Sequence, residues 1–131
     1  MRLLVLMLAA ACVCTAQFAQ AEGSDEFFEG VKSYRARQYD DAVAWFRKAA
    51  EQGDAEAQFL LGRMYYDGSS VAVDYIAAHM WFDIAAGSGV RVAPRYRDGL
   101  AERMKAEDVE AAQRRAADWR AEHPAAAKAP Q

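Results

Sequence analysis

At 131 residues, 53% of them hydrophobic and 27% charged, the chain has material for one small domain with a modest core. A formal charge of −3, with no concentrated basic face, argues against nucleic acid as a partner. Abundant alanine, with proline confined to Pro94, Pro124 and Pro130, favours helix.

Residues 1–21 read as a secretory signal peptide. Arg2 supplies a short positive region and Leu3 to Val13 an uncharged apolar run. Ala19-Gln20-Ala21 then offers the small residues needed for cleavage before Glu22. The run is shorter than the about 20 apolar residues of a membrane span, so the leader predicts a periplasmic or secreted mature chain. Both cysteines, Cys12 and Cys14, lie in the leader, and export leaves no thiol, disulfide or cysteine metal site. Leu8-Ala9-Ala10-Ala11-Cys12 loosely resembles a bacterial lipobox, with its aliphatic residue one place too far from Cys12. Lipid on Cys12 would place the chain on a membrane surface, and that alternative stays open.

Ser24 is placed to cap a first helix over Asp25 to about Ala36, carrying Phe27, Phe28, Val31 and Tyr34. After a turn at Arg37-Gln38, a second helix is predicted from Tyr39 to Gln52. Its apolar positions Tyr39, Ala42, Val43, Phe46, Ala49 and Ala50 follow helical spacing. Gly53 stands where a left-handed residue ends such a helix, and Asp54 where a cap starts the next. A third helix, Ala55 to Asp67, groups Ala57, Leu60, Leu61, Met64 and Tyr65, with Gly62 allowing close approach. Asp67-Gly68-Ser69-Ser70 breaks it, and Val71 or Val73 returns to the core. Asp74 caps a fourth helix, Tyr75 to Gly87, with Tyr75, Ala78, Phe82, Ala85 and Ala86 buried.

The chain repeats itself. Ala42, Trp45, Phe46, Ala49, Ala50 and Gly53 recur 36 positions later as Ala78, Trp81, Phe82, Ala85, Ala86 and Gly89. A period of this size indicates stacked helical hairpins, each unable to bury its apolar face alone. Two more helices, Val92 to Met104 and Ala106 to Ala121, do not share the period and are predicted to cap the stack (91–121). The first turns Tyr96, Leu100 and Met104 inward, the second Val109, Ala112, Ala116 and Trp119. Residues 122–131 show no periodicity and predict a disordered tail. The expected fold is all-α: an α/α superhelical solenoid of antiparallel hairpins, two repeats (22–54 and 55–90) plus a capping pair.

Leu61-Gly62-x-x-Tyr65, Gly68-x-x-Val71-x-x-Asp74-Tyr75-x-x-Ala78 and Trp81-Phe82-x-x-Ala85-Ala86-x-x-Gly89 resemble the Sel-1-like repeat, a relative of the tetratricopeptide repeat. The resemblance covers residues 55–90 nearly end to end. The preceding unit matches in its second helix, and in its first only at Gly30 and Tyr34. It lacks the loop extension and resembles the shorter tetratricopeptide form. Ser70 stands where the family usually has glycine, and Ala77 where it usually has lysine.

No chemistry emerges from the remaining residues. His79 and His123 are the only histidines, and neither has metal-ligand spacing. His79 adjoins a face expected to be buried, where packing accounts for it. Ser69, Ser70 and Ser88 lie outside any nucleophile elbow. Asp40/Asp41 and Glu107/Asp108 sit at helix starts, where the helix dipole explains them. Trp45, Trp81 and Trp119 fit core positions, while Arg97/Asp98, Glu102/Arg103 and Arg114/Arg115/Asp118 read as solvated faces. The sequence predicts no catalytic residue, no cofactor and no metal, and a chain that is not an enzyme.

Binding is what the resemblance implies. First helices of such hairpins line a concave groove that takes a protein or peptide. Alignment on Gly30 and Gly62 puts the groove at Phe27, Val31, Tyr34 and Arg35 in one unit. In the other it falls on Glu56, Phe59, Arg63, Tyr66 and Asp67. Phe59 and Tyr66 stand off the main apolar stripe, with Arg63 between them to hold a carboxylate; the capping helices covering both rings is the competing expectation. The function expected is protein–protein interaction, as an adaptor or regulator in a bacterial envelope. The alternatives are a lipid-anchored assembly factor attached through Cys12 and a small hydrolase dependent on His79.

Overall fold

In a computed structural model of the chain, the residues described are 24–69 and 71–127. Residues 1–23, with Cys12 and Cys14, the loop residue Ser70 and residues 128–131 lie outside them. Six helices follow in order: α1 (Asp25–Arg35), α2 (Tyr39–Glu51), α3 (Ala55–Asp67), α4 (Tyr75–Gly87), α5 (Ala93–Ala101) and α6 (Ala106–Glu122). There is no strand among the described residues. The expected all-α hairpin architecture is what forms.

Local chemistry sets the helix ends. The side chains of Ser24, Asp54 and Asp74 accept from the backbone N–H of Phe27, Ala57 and Ala77, each cap contributing about 1 kcal/mol. The closing turns repeat as the sequence does. Gly53 (φ 95°) and Gly89 (φ 99°) both take left-handed backbone. Around them Asp54 N donates to Ala49 O at 3.0 Å, and Val90 N to Ala85 O at 3.0 Å. These are paired Schellman closures, 36 positions apart like the side chains that precede them.

Each hairpin is held by a ring lying on a glycine. A Cβ at Gly30 would meet the Phe46 ring at 2.6 Å, and one at Gly62 the Phe82 ring at 2.7 Å. Real Cβ atoms do not come so close, so the glycines permit an approach that alanine forbids. Phe46 and Phe82 are both 1% exposed. The main core joins Ala42, Val43, Phe46, Leu61, Met64, Trp81 and Ile84 from α2, α3 and α4 with Ala116 and Trp119 from α6. A second cluster joins Ala78, Phe82 and Leu100.

The end of the stack departs from a simple hairpin. Both α5 and α6 pack chiefly on α4. Trp119 meets Trp81 edge-on at 5.7 Å between ring centres, and Ala93 and Leu100 of α5 are buried. Helix α5 is also shorter than its predicted span of Val92 to Met104, because residues 102–104 unwind into the turn before α6. Structure does not stop at residue 122 either. His123 stacks on Trp119 at 4.4 Å, Ala127 N donates to His123 O at 3.0 Å, and Ala126 packs on the core. The physical reason is Gly53, whose missing side chain leaves room for the Ala126 backbone; a Cβ there would lie 3.0 Å from it.

Several rings expected inside lie outside. Tyr39, Tyr75 and Tyr96 are exposed, and Trp45 is half-buried beneath the Lys48 ammonium, 5.3 Å from its ring centre. Val71 packs on the core while Val73 is exposed.

Gly62→Ala, which drives a methyl against a fully buried ring, should destabilise the chain by about 1–3 kcal/mol, read as a lowered urea midpoint. Gly99→Ala is the control, since a Cβ at that helical position meets nothing within 4 Å; it should be neutral or stabilising.

Candidate functional site

The side of the stack formed by α1, α3 and α5 carries two grooves. The first, about 340 Å³, lies between α1 and α3. Val31, Phe46, Leu60 and Met64 make its apolar lining; Tyr34, Arg35, Arg63, Asp67 and Ser69 complete it with polar groups. It exists because α1 and α3 both pack on α2 and leave a furrow between them. Arg35 and Arg63 are exposed, and no carboxylate stands within ion-pair distance of either among the described residues. An apolar floor with free guanidinium groups at its edge suits a peptide with one anchoring side chain and a carboxylate.

Five of the nine residues placed in a groove by the sequence converge here: Val31, Tyr34, Arg35, Arg63 and Asp67. The other four do not. Phe27 turns into the hairpin and sits 5.9 Å from the Phe46 ring. Phe59 is taken by the cap, between Phe82 at 5.6 Å and Tyr96 at 5.1 Å. Glu56 is exposed and lines neither groove. Tyr66 lines the second groove instead. Leu60 and Met64 escaped sequence reasoning because they belong to the apolar stripe that marks a core. Only the three-dimensional gap beside α1 reveals that Leu60, at the edge of this stripe, stays partly exposed above the buried Met64.

The second groove, about 610 Å³, lies between α3 and α5 and is lined by Tyr66, Phe82, Val92, Arg95, Tyr96, Gly99, Leu100 and Arg103. Arg95, Tyr96, Gly99 and Leu100 belong to α5, with Val92 at its N-cap and Arg103 in the turn that follows; their spacing falls on one face of the helix predicted over Val92 to Met104. Sequence reasoning turned Tyr96, Leu100 and Met104 inward; Leu100 is buried, while Tyr96 is 44% exposed and opens on the groove.

Electrostatics fix α5 in place. Asp83 of α4 accepts from Arg97 of α5 at 2.9 Å and from Arg120 of α6 at 3.0 Å, and Arg120 also donates to the Asp83 carbonyl at 3.0 Å. Asp83 is 19% exposed. One carboxylate thus clamps both capping helices to the second repeat. This corrects the reading of Arg97/Asp98 as a solvated pair: Arg97 bonds Asp98 at 2.8 Å but also reaches inward. Beside the clamp His79 is 2% exposed, its Nδ1 without a hydrogen-bond partner. Burial lowers its pKa below the ordinary imidazole value, chiefly by penalising the charged form. A histidine so enclosed is not open to a substrate.

Two model matches to the Sel1 repeat, over residues 19–54 and 55–90, span more than half of the sequence. The chain belongs to the Sel1 repeat family. The crystal structure of a protective antigen present in uropathogenic Escherichia coli strains, displaying an SLR fold, superposes with a TM-score of 0.72 and 29% identity. The match covers 82% of this chain and 24% of that one. The exopolysaccharide production negative regulator of Rhizobium leguminosarum bv. viciae is 36% identical over 66 residues, 50% of this chain and 25% of its own length. Chitin synthase regulatory factor 3 of Schizosaccharomyces pombe is 35% identical over 63 residues, 48% of this chain and 7% of its own length. The chain therefore spans a quarter or less of each curated relative. A Sel1 repeat chain is a protein-interaction module, and both relatives are named as regulators. The first unit, read in sequence as the shorter tetratricopeptide form, is matched as a Sel1 repeat like the second.

Asp83→Ala should release both capping helices and cost about 1–2 kcal/mol, measured by urea denaturation. Acid should weaken the fold for a separate reason. Below about pH 6.5 the unfolded chain protonates His79 while the folded chain, its imidazole pKa lowered, does not. Stability is therefore expected to fall with decreasing pH through this range, by at most about 1.4 kcal/mol per pH unit. His79→Leu should flatten that part of the profile.

Proposed function

We propose that this Sel1 repeat chain is an exported, non-catalytic adaptor or regulator that binds a segment of a partner protein along its α1–α3–α5 side. The observation that carries the reading is the groove between α1 and α3. It combines a partly exposed apolar lining at Val31 and Leu60, over the buried Met64, with Arg35 and Arg63, whose guanidinium groups no carboxylate engages among the described residues. A stack that needed these groups for its own stability would have paired or buried them. Export rests on the leader pattern of residues 1–21, with a bacterial envelope as the setting. The size of the groove fits one anchoring side chain at a time, so the partner contributes a short segment or one helix.

The test is affinity capture from envelope extracts, comparing the chain with its Arg35→Glu/Arg63→Glu variant. Both substitutions fall on exposed positions, so circular dichroism should report equal helicity. A partner recovered with the parent and lost with the variant supports the reading. The same partners with both proteins, or none with either, would sink it. Recovery of the native chain with lipid on Cys12 would favour the anchored assembly factor instead.

A further inference from the structure

The second groove has chemistry that the first lacks. Its eight lining residues include two arginines and no carboxylate, in a chain whose formal charge is −3. Of the acids next in sequence to the lining, Asp83 is paired with Arg97 and Arg120 and Asp98 with Arg97, while Asp67 and Glu102 lie outside the lining and form no ion pair among the described residues. Arg95 is exposed and has no ion-pair partner among the described residues. Arg103 is likewise unpaired, and its Nη1 donates to Tyr66 Oη at 2.8 Å. That bond uses one of five guanidinium N–H donors and fixes the group's position, leaving the others directed by a rigid plane. Between the arginines the lining is apolar. Phe82 and Leu100 are almost wholly buried, while Tyr96 and Val92 remain 44% and 52% exposed. Gly99 adds open space, since a Cβ there would meet nothing within 4 Å.

We infer that the groove between α3 and α5 takes an acidic segment of a partner protein, with an apolar side chain against the exposed Val92 and Tyr96 and flanking carboxylates on Arg95 and Arg103. This rests on the reading that the α1–α3–α5 side binds a protein segment, and adds the site and chemistry of a second anchor. Charge complementarity selects the occupant. Two guanidinium groups at the edge of an apolar recess match carboxylates one or two residues either side of an apolar residue. A polyanion, by contrast, would meet two cations on an otherwise acidic chain, too few for backbone tracking.

The probe is a fluorescein-labelled peptide carrying Phe-Leu between two Glu-Asp pairs, with its Gln-Asn counterpart as control, titrated by anisotropy against the full chain. The acidic peptide is expected to bind at least about tenfold more tightly, and less so as salt rises. Arg95→Ala and Arg103→Ala should each weaken it about tenfold. Gly99→Leu should block the recess and abolish binding with the thermal midpoint unchanged or raised, which separates occlusion from unfolding. Arg63→Glu should leave affinity within about twofold, because it lines the other groove. Equal binding of the acidic and amide peptides, or binding of neither, overturns the inference. So does acidic-peptide binding lost in Arg63→Glu but kept in both alanine variants, an outcome that leaves the first groove and the broader reading standing. Binding of the chain to vesicles of phosphatidylcholine with phosphatidylglycerol, lost in Arg95→Ala, in place of peptide binding would assign the arginines to a lipid surface and overturn it as well.

Discussion

A phenyl ring lying where a glycine carries no Cβ is the contact on which each hairpin closes: Phe46 on Gly30, and Phe82 on Gly62. Burying such a ring contributes about 1.5–3 kcal/mol, and the glycine costs roughly 0.5–1 kcal/mol against alanine in a helix. The balance favours the pair only if the helices come together closely enough to bury the ring almost completely, as they do. That approach places α1 against α2 and α3 against α4 at equivalent depths. The furrow beside α1 follows from it, since Phe46 forms part of the groove lining as well as the hairpin core.

The capping helices do more than shield the last repeat from water. The Asp83 clamp and the Trp81–Trp119 pair hold α5 and α6 to α4, and α5 then forms one wall of the second groove. Ring contacts extend from Tyr96 through Phe59 and Phe82, so the groove's lining continues into the core. The core and the groove lining share residues here. A substitution at Asp83, which itself lines neither groove, acts on the second groove through the position of α5.

The repeat itself was written plainly in the sequence. Asp54 and Asp74 announced helix starts, Gly53 announced a stop, and the 36-residue offset paired it with Gly89, which takes the same left-handed backbone. Helices α3 and α4 have the bounds that those signals predict. What periodicity could not supply was the reach of long side chains. Arg97 looks like half of a surface pair with Asp98, yet crosses to Asp83 on another helix. Tyrosines were misplaced because a ring with a hydroxyl satisfies an apolar stripe at its base and water at its tip. Tyr75 and Tyr96 do so at 37% and 44% exposure. The candidate groove was half legible for a related reason: alignment on glycine finds the helix face but not which neighbour covers it. Phe59 lost its place to Tyr96, and Ala126 docked beside Gly53 with no pattern to announce it.

The central claim is that this chain works through the side built from α1, α3 and α5. Site-specific photocrosslinking in the native host tests it most directly. A benzophenone amino acid is introduced singly at exposed Tyr34, Arg63 and Tyr96, and for comparison at Lys48 of α2 and Arg114 of α6. A discrete adduct with one partner from the first three positions, absent from the other two, is the outcome expected. Adducts from Lys48 and Arg114 alone would place recognition on the opposite side of the stack and contradict the account.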